Sequence, residues 1–333
     1  MRGTSLSSTS DTSGPSGDTE AREDPLTGAL VLLAPHRRGL GPPAPAAPGL
    51  PEVPPERCPF CPGRESETEA TILQAPAEGP WAVRVVDNRH PLATPLSSGV
   101  RGAHELVVET RAHDLDLPDF SVGQVRLLLE VIGARLDALA ARPEVAAVIA
   151  FRNRGRRAGS SQPHAHSQIV ALDRVPSGIA LRDARARAYF ERTGRALLED
   201  ALRDELEDGR RIVRDGDGVV TLCPYASQRP HETWLVPREA SATLGALTSV
   251  ALEGMAAALV DATRRLREAG AGTDYNVLVH EPPVASRSRP WSRAYVEIAP
   301  RTTTQAGLEL ASGATVLTLA PEHAARSLRA ASP

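Results

Sequence analysis

No run of about 18 or more apolar residues occurs in the 333-residue chain, so no segment reads as a membrane span. The N-terminus lacks the basic patch and apolar run of a secretory signal, and the protein is expected to be cytoplasmic. Lysine is absent, so arginine carries all of the positive charge. Together with abundant Ala, Gly and Pro, this reads as the codon bias of a GC-rich genome rather than as function. An excess of either sign is missing as well: 38 basic against 41 acidic residues leave a net charge of -3. No basic field points to nucleic acid and no acidic tail to a basic partner, so a small-molecule substrate fits better. The three cysteines include the pair Cys58-Pro59-Phe60-Cys61. In a reducing compartment that two-residue gap favours a metal knuckle over a disulfide framework.

The length and the 41% hydrophobic content exceed the usual size of one core and imply two domains or two lobes. Residues 1–22 are Ser, Thr, Gly and Asp with little to bury, and are expected to be a disordered tail. Order is expected from Asp24-Pro25-Leu26-Thr27-Gly28, a turn, followed by an apolar strand over 29–34 and a Pro-rich loop over 39–55. Strands are predicted at 81–86, 105–109, 145–151 and 167–172, with an amphipathic helix over 121–141 between the second and third. The later residues repeat this order: a polar helix over about 181–207, a hairpin at Asp215-Gly216-Asp217-Gly218, and strands at 219–223 and 233–236. A long helix over about 242–269, strands at 275–280 and 294–298 and a closing helix over 322–331 complete it. Strand, strand, helix, strand, strand in each half suggests a duplicated α+β unit on antiparallel sheet, divided into 23–178 and 179–331.

The richest chemistry lies in Gly159-Ser160-Ser161-Gln162-Pro163-His164-Ala165-His166-Ser167-Gln168. The two histidines are expected to do different jobs, one a ligand and the other a nucleophile. An imidazole is neutral near pH 7, and its second nitrogen can donate to a backbone carbonyl that fixes the attacking tautomer. Gly159, Ser160 and Ser161 supply close backbone approach, N–H groups and hydroxyls of the kind that hold phosphate oxygens. Cys58 and Cys61 offer two thiolates to a tetrahedral zinc, which needs two further ligands. By spacing alone His90, His104, His113 and His164 all qualify. Cys223, in an apolar strand, reads as a core thiol.

His164-Ala165-His166-Ser167-Gln168, preceded by Asn153, Gly155, Gly159 and Ser161, resembles the active-site signature of the galactose-1-phosphate uridylyltransferase family, the transferase branch of the histidine triad superfamily. The resemblance implies two histidine-triad-like halves, each a mostly antiparallel sheet with packed helices. It implies a covalent nucleotidyl-His166, ping-pong exchange between UDP-glucose and galactose 1-phosphate, and one structural zinc on Cys58, Cys61, His113 and His164. Arg37, Asn88, Asn153, Gly159, Ser160, Ser161 and Glu309 are the substrate-binding residues it carries over, with nucleotide sugar and sugar 1-phosphate as partners and a homodimer as the family's common assembly. In the hydrolase branch a third histidine stands at the position of Gln168. Glutamine can hold phosphoryl oxygens but cannot relay a proton to water, so transfer is favoured over hydrolysis.

The second half departs from the family pattern. Arg293 and Tyr295 stand where some members carry a pair of metal-binding histidines, so a second metal site near His280 is expected to be absent. Three rival readings share these residues: a nucleotide-sugar phosphorylase or adenylyltransferase of the same superfamily, a zinc-stabilised nucleotide-binding protein without activity, and a metallohydrolase at the Cys pair.

Overall fold

The computed structural model describes residues 18–39, 49 and 53–331. In chain order its strands are β1 (Glu20–Glu23), β2 (Leu30–Leu33), β3 (Thr71–Ala75), β4 (Val83–Asp87), β5 (Gly102–Val108), β6 (Ala147–Arg154), β7 (His166–Leu172), β8 (Ile212–Gly216), β9 (Val219–Leu222), β10 (Thr233–Pro237), β11 (Tyr275–His280), β12 (Tyr295–Pro300) and β13 (Thr315–Leu317). The helices are α1 (Val122–Ala140), α2 (Ser177–Thr193), α3 (Leu197–Asp208), α4 (Ser249–Glu268), α5 (Gly307–Ser312) and α6 (Pro321–Ala330). The fold is α+β.

Ten strands form one sheet in the order β3-β4-β5-β7-β6-β11-β12-β10-β9-β8, with antiparallel neighbours throughout. Read inward from either edge, each half runs three strands, then its fifth, then its fourth. The halves meet where β6 pairs with β11, Asn153 opposite Asn276 and Phe151 opposite Leu278. The expected strand, strand, helix, strand, strand order lacked one strand in each half. β3 was missed because it is an edge strand with a weak apolar signal, its burial running from exposed to half-buried.

One face of the sheet, with Val107, Ile169, Ala150, Val277, Ile298 and Leu235, packs on α1 and α4 to form the main core. α1 starts where Ser121 accepts a hydrogen bond from the Gln124 amide, and its buried side chains recur at helical spacing. Thr248 caps α4 in the same way, so this helix begins several residues after the expected 242. On the other face α2 and α3 cover only the second half, burying Val220, Leu222, Trp234 and Tyr295 beneath Leu197 and Leu198. The single helix expected over 181–207 is two, because Gly194 takes a left-handed conformation that ends α2. Asp217 and Gly218, both at positive φ, form the two-residue turn of the β8–β9 hairpin, a conformation that the Asp-Gly dipeptide favours.

Order begins earlier than expected. Residues 20–22 belong to β1, which pairs with β2, and β2 in turn pairs in parallel with β13 from the far end of the chain. Arg22 is buried there, bonded to Glu20 and to Glu322 of α6, and these ion pairs give the polar segment its reason to order. Residues 1–17 of the expected tail, and most of the Pro-rich loop, lie outside the described residues. No described helix is long and apolar enough to cross a membrane.

Candidate active site and metal centre

His166 is the first residue of β7, on the sheet face that α1 and α4 leave open, with Val108 of β5 opposite. A continuous strand would set residues 164 and 166 on the same face. The bend at 163–164 turns them apart, His164 toward the cysteines and His166 onto the sheet. The His166 Nδ1–H donates to the His164 carbonyl at 2.9 Å, which leaves Nε2 with the lone pair. Burial lowers the His166 pKa; the bond to His164 and the nearby Glu109 act in the opposite direction without reversing the shift. The ring is therefore held neutral, the state in which an imidazole is nucleophilic.

Two amides flank it on the same face. Asn153 lies beside His166 on β6, and its Oδ1 accepts a 2.8 Å hydrogen bond from Asn276 Nδ2, which also donates to the Ala158 carbonyl. Gln168 lies two residues along β7, and its Oε1 meets His104 Nε2 at 2.9 Å. His104 Nδ1 accepts from the Leu92 amide, so the proton sits on Nε2 and donates to Gln168. With both carbonyl oxygens occupied, the two amino groups are left as donors beside His166. Asn88 borders this pair, its Nδ2 3.2 Å from His104 Nε2, but with Nε2 protonated both are donors and the Asn88 Oδ1 accepts from the His90 amide instead. Burial also lowers the pKa of His104, partly offset by Gln168. His104, a candidate zinc ligand by spacing alone, is thus a hydrogen-bonded group outside the cysteine cluster, and its partner ties it to the site. The β5–β7 register that joins them is a long-range pairing that spacing does not reveal.

Gly155 and Gly159 shape the loop between β6 and β7. Gly155 has φ +81°, and a Cβ there would lie 2.2 Å from Asp274 Oδ1. The close approach lets the Asp274 carboxylate accept from the Arg157 amide at 2.7 Å. Gly159 ends the short turn 156–158 at φ +88°. Ser160 is buried and donates to the Gln162 carbonyl, while Ser161 faces solvent.

Beneath His166 lies an ionic network that sequence reading missed. Glu109, fully buried, accepts from Ser167 Oγ at 2.6 Å and from Arg152 Nε at 2.9 Å. Arg152 also reaches Asp116 at 2.6 Å, and Arg154 pairs with the same carboxylate. Burial opposes the charge on Arg152, yet Glu109 and Asp116 raise its pKa above the ordinary arginine value. The Glu109 amide donates to the Ala165 carbonyl, so the network grips the backbone on both sides of His166.

Cys58, Cys61, His113 and His164 converge with their ligand atoms all within 4.8 Å of one another. The Cys61 Sγ to His113 Nδ1 distance is 3.2 Å, and His164 Nδ1 lies 3.5 and 3.6 Å from Cys58 and Cys61 Sγ. A tetrahedral ion with bonds of about 2.3 Å to sulfur and 2.0–2.1 Å to nitrogen sets those atoms about 3.5 Å apart, so the donor set fits. His164 Nε2 donates to the Thr110 carbonyl at 2.8 Å, which orients Nδ1 toward the cysteines. Burial and the neighbouring Cys58 push the Cys61 thiol up to about 12, and burial takes His164 down to about 4. An ion bound here would displace thiol protons and meet an imidazole already neutral. Phe60, between the cysteines, packs its ring 5.4 Å from that of His166.

Among the described residues no hydrogen bond or ion pair joins Arg37 or Glu309 to this cluster. Arg37 is exposed at the end of the short turn after β2, and none of its contacts joins His166. Glu309 sits in α5, its carboxylate accepting from the Ala306 amide. In the second half His280 stacks on Tyr295 at 4.4 Å and bonds Glu297 at 2.8 Å, while Arg293 pairs with Glu199. Cys223 is fully buried in the main core.

Residues 94–176 match the family model described as galactose-1-phosphate uridyl transferase, N-terminal domain. The chain is 27% identical to an ADP-glucose phosphorylase of Arabidopsis thaliana over 98% of both chains. It is 32% identical to a galactose-1-phosphate uridylyltransferase of Streptomyces lividans over 66% of this chain and 56% of that protein. The crystal structure of an ADP-glucose phosphorylase from A. thaliana with bound ADP-glucose superposes with a TM-score of 0.83 at 25% identity, covering 95% of this chain and 100% of that one. A uridylyltransferase structure gives 0.72 at 26% identity, covering 93% and 97%.

Proposed function

We propose that the chain is a member of the galactose-1-phosphate uridylyltransferase family and that it transfers a nucleoside monophosphate from a nucleotide sugar to a phosphate-bearing acceptor through a covalent nucleotidyl-His166. The observation that carries this reading is the setting of His166: neutral, Nδ1 anchored on the His164 carbonyl, and flanked by two amides whose oxygens are already engaged.

In the first step Nε2 attacks the α-phosphorus, the bond from phosphorus to the sugar-phosphate oxygen breaks, and sugar 1-phosphate leaves as a stable anion. The imidazolium formed keeps its Nδ1–H on the His164 carbonyl. The amino groups of Asn153 and Gln168 stabilise charge developing on the phosphoryl oxygens, with the 159–161 backbone as a further donor set. In the second step an acceptor phosphate oxygen attacks the same phosphorus and the imidazole returns. The Gln168 amide does not titrate and cannot act as a general base toward water, which protects the intermediate from hydrolysis.

The ion we assign to Cys58, Cys61, His113 and His164 is a structural zinc, because all four positions are filled by protein and none is open to water. It anchors the backbone two residues before the nucleophile. We assign no second ion, since His280 is already engaged by Glu297 and Tyr295.

UDP-glucose as donor and galactose 1-phosphate as acceptor is the reading named by the family. The near-complete overlap with an ADP-glucose phosphorylase favours a second reading, with adenine as base and inorganic phosphate as acceptor. A panel of UDP- and ADP-sugars with either acceptor separates them. Under either reading initial rates follow ping-pong kinetics, and a His166→Asn protein that turns over normally would rule out both.

A further inference from the structure

Phe60 stands between the two cysteines of the knuckle, where an ion asks only for a tight turn. The Cys61 amide makes that turn by donating to the Cys58 carbonyl at 3.2 Å, a backbone bond that demands nothing of the spacer side chains. A large apolar side chain there, only 6% exposed, has another task. Resting on the transferase reading, we propose that Phe60 is a positioning residue for His166, the side chain through which an ion on Cys58, Cys61, His113 and His164 fixes the plane of the imidazole.

Its neighbours give the geometry. The Phe60 ring lies 5.4 Å from that of His166 at an interplanar angle of 52°, and 6.0 Å from that of His164 at 87°, so it packs on both histidines of the segment. Trp81 and Val108 complete a small apolar cluster with Phe60, Cys58 and Cys61. Val108 is the residue opposite His166 in the β5–β7 ladder, which places Phe60 on the β5 side of the imidazole. Arg152 pairs with Ser167, which places Asn153 on the β6 side. The ring of His166 is walled from both directions.

A defined ring needs more than one restraint. The Nδ1–H bond to the His164 carbonyl holds one edge of the imidazole and still lets the ring tilt about that bond. Attack on phosphorus needs the Nε2 lone pair within roughly 10–20° of the line of approach, so the tilt matters. Contact with a rigid phenyl ring removes it, and that ring is itself held by the cysteine turn on either side of it. Being buried, Phe60 has no free face for a ligand and reaches the reaction through His166. The same contact gives the cysteines a path to His166 separate from the one through His164, because opening their turn would draw Phe60 off the imidazole.

Solvent exchange of the His166 Nδ1–H tests this without any nucleotide. It is followed by proton NMR on the full chain loaded with zinc, the signal being assigned by its loss in His166→Asn. Phe60→Ala should speed the exchange by roughly tenfold and lower the maximal rate of His166 labelling by a similar factor, leaving the half-saturating concentration of nucleotide sugar nearly unchanged. Phe60→Leu, which keeps most of the apolar bulk, should fall between Phe60→Ala and the wild type in both rates, and carries the same comparison if Phe60→Ala does not fold. Zinc content in both variants should match the wild type. Stripping the ion with a chelator should then speed exchange by a smaller factor in the variant than in the wild type, since the side chain that relays its effect is gone. Unchanged exchange in folded, zinc-loaded variants would overturn the proposal, and an equal effect of stripping in variant and wild type would overturn the relay. A wild-type protein that takes no label at His166 would refute the transferase reading instead, while the exchange rates still decide whether Phe60 holds the ring.

Discussion

At the scale of single residues, the chemistry near His166 depends on groups that hold other groups still. His104 fixes the Gln168 amide, and His104→Ala should lower kcat/KM on the order of tenfold, about 1.4 kcal/mol of transition-state stabilisation, with little change in the unfolding midpoint. Arg152→Met should act on stability instead. It leaves Glu109 as an unpaired buried charge, a loss of about 3–5 kcal/mol readable by denaturant unfolding. His166 and the Cys58 and Cys61 pair were legible in the sequence because each signal is carried by a few consecutive residues. The His104 link to Gln168 and the Glu109 link to Arg152 were not. Both cross between strands, and a shift of one residue in register would reverse which side chains face each other.

At the scale of elements, the loop that leads to His166, the proposed nucleophile, is tied down at both ends. The cluster of Cys58, Cys61 and His113 is placed to hold His164 through the proposed ion, and Asn276 with Asp274 holds the turn after β6. Stripping the ion with a chelator, or making Cys58→Ser, should lower the melting temperature and the rate of His166 labelling together. A metallohydrolase would lose turnover while its melting temperature stayed in place. Another element effect comes from β10 and its approach. Glu232 is buried beside Glu297, and burial, with the charge of Glu297, raises its pKa from 4.5 to about 8. Burial works to raise Glu297 as well, but its bond from His280 outweighs that and lowers it, so the extra proton belongs on Glu232. The folded state then holds a proton that the unfolded chain releases above pH 4.5, so stability should fall as pH rises from about 4.5 to 8. Glu232→Gln should flatten that fall in melting temperature against pH; an unchanged slope would assign it to another group. Helices and most central strands could be read from periodicity, whereas β1 and β3 could not. Each is a short edge segment with few buried side chains, ordered by partners far along the chain.

At the scale of the whole molecule, the two halves share one sheet. The division at 178 and 179 remains a proposal about ancestry, and the pairing of β6 with β11 argues against independence: a fragment of residues 18–178 would expose the β6 edge and lose the β13 partner of β2. We expect that fragment to aggregate or remain unfolded, as judged by size-exclusion chromatography and circular dichroism. The repeated strand and helix order was visible in the sequence, but nothing local specifies that the two sheets join edge to edge.

The central claim is that His166 carries the nucleotide. Intact mass spectrometry of the protein after brief exposure to UDP-glucose or ADP-glucose, with no acceptor present, tests it most directly. The account predicts the added mass of one nucleoside monophosphate, mapped to the peptide holding His166, lost in acid and discharged by the acceptor. An unmodified protein that still turns over, or a label on any other residue, would contradict it.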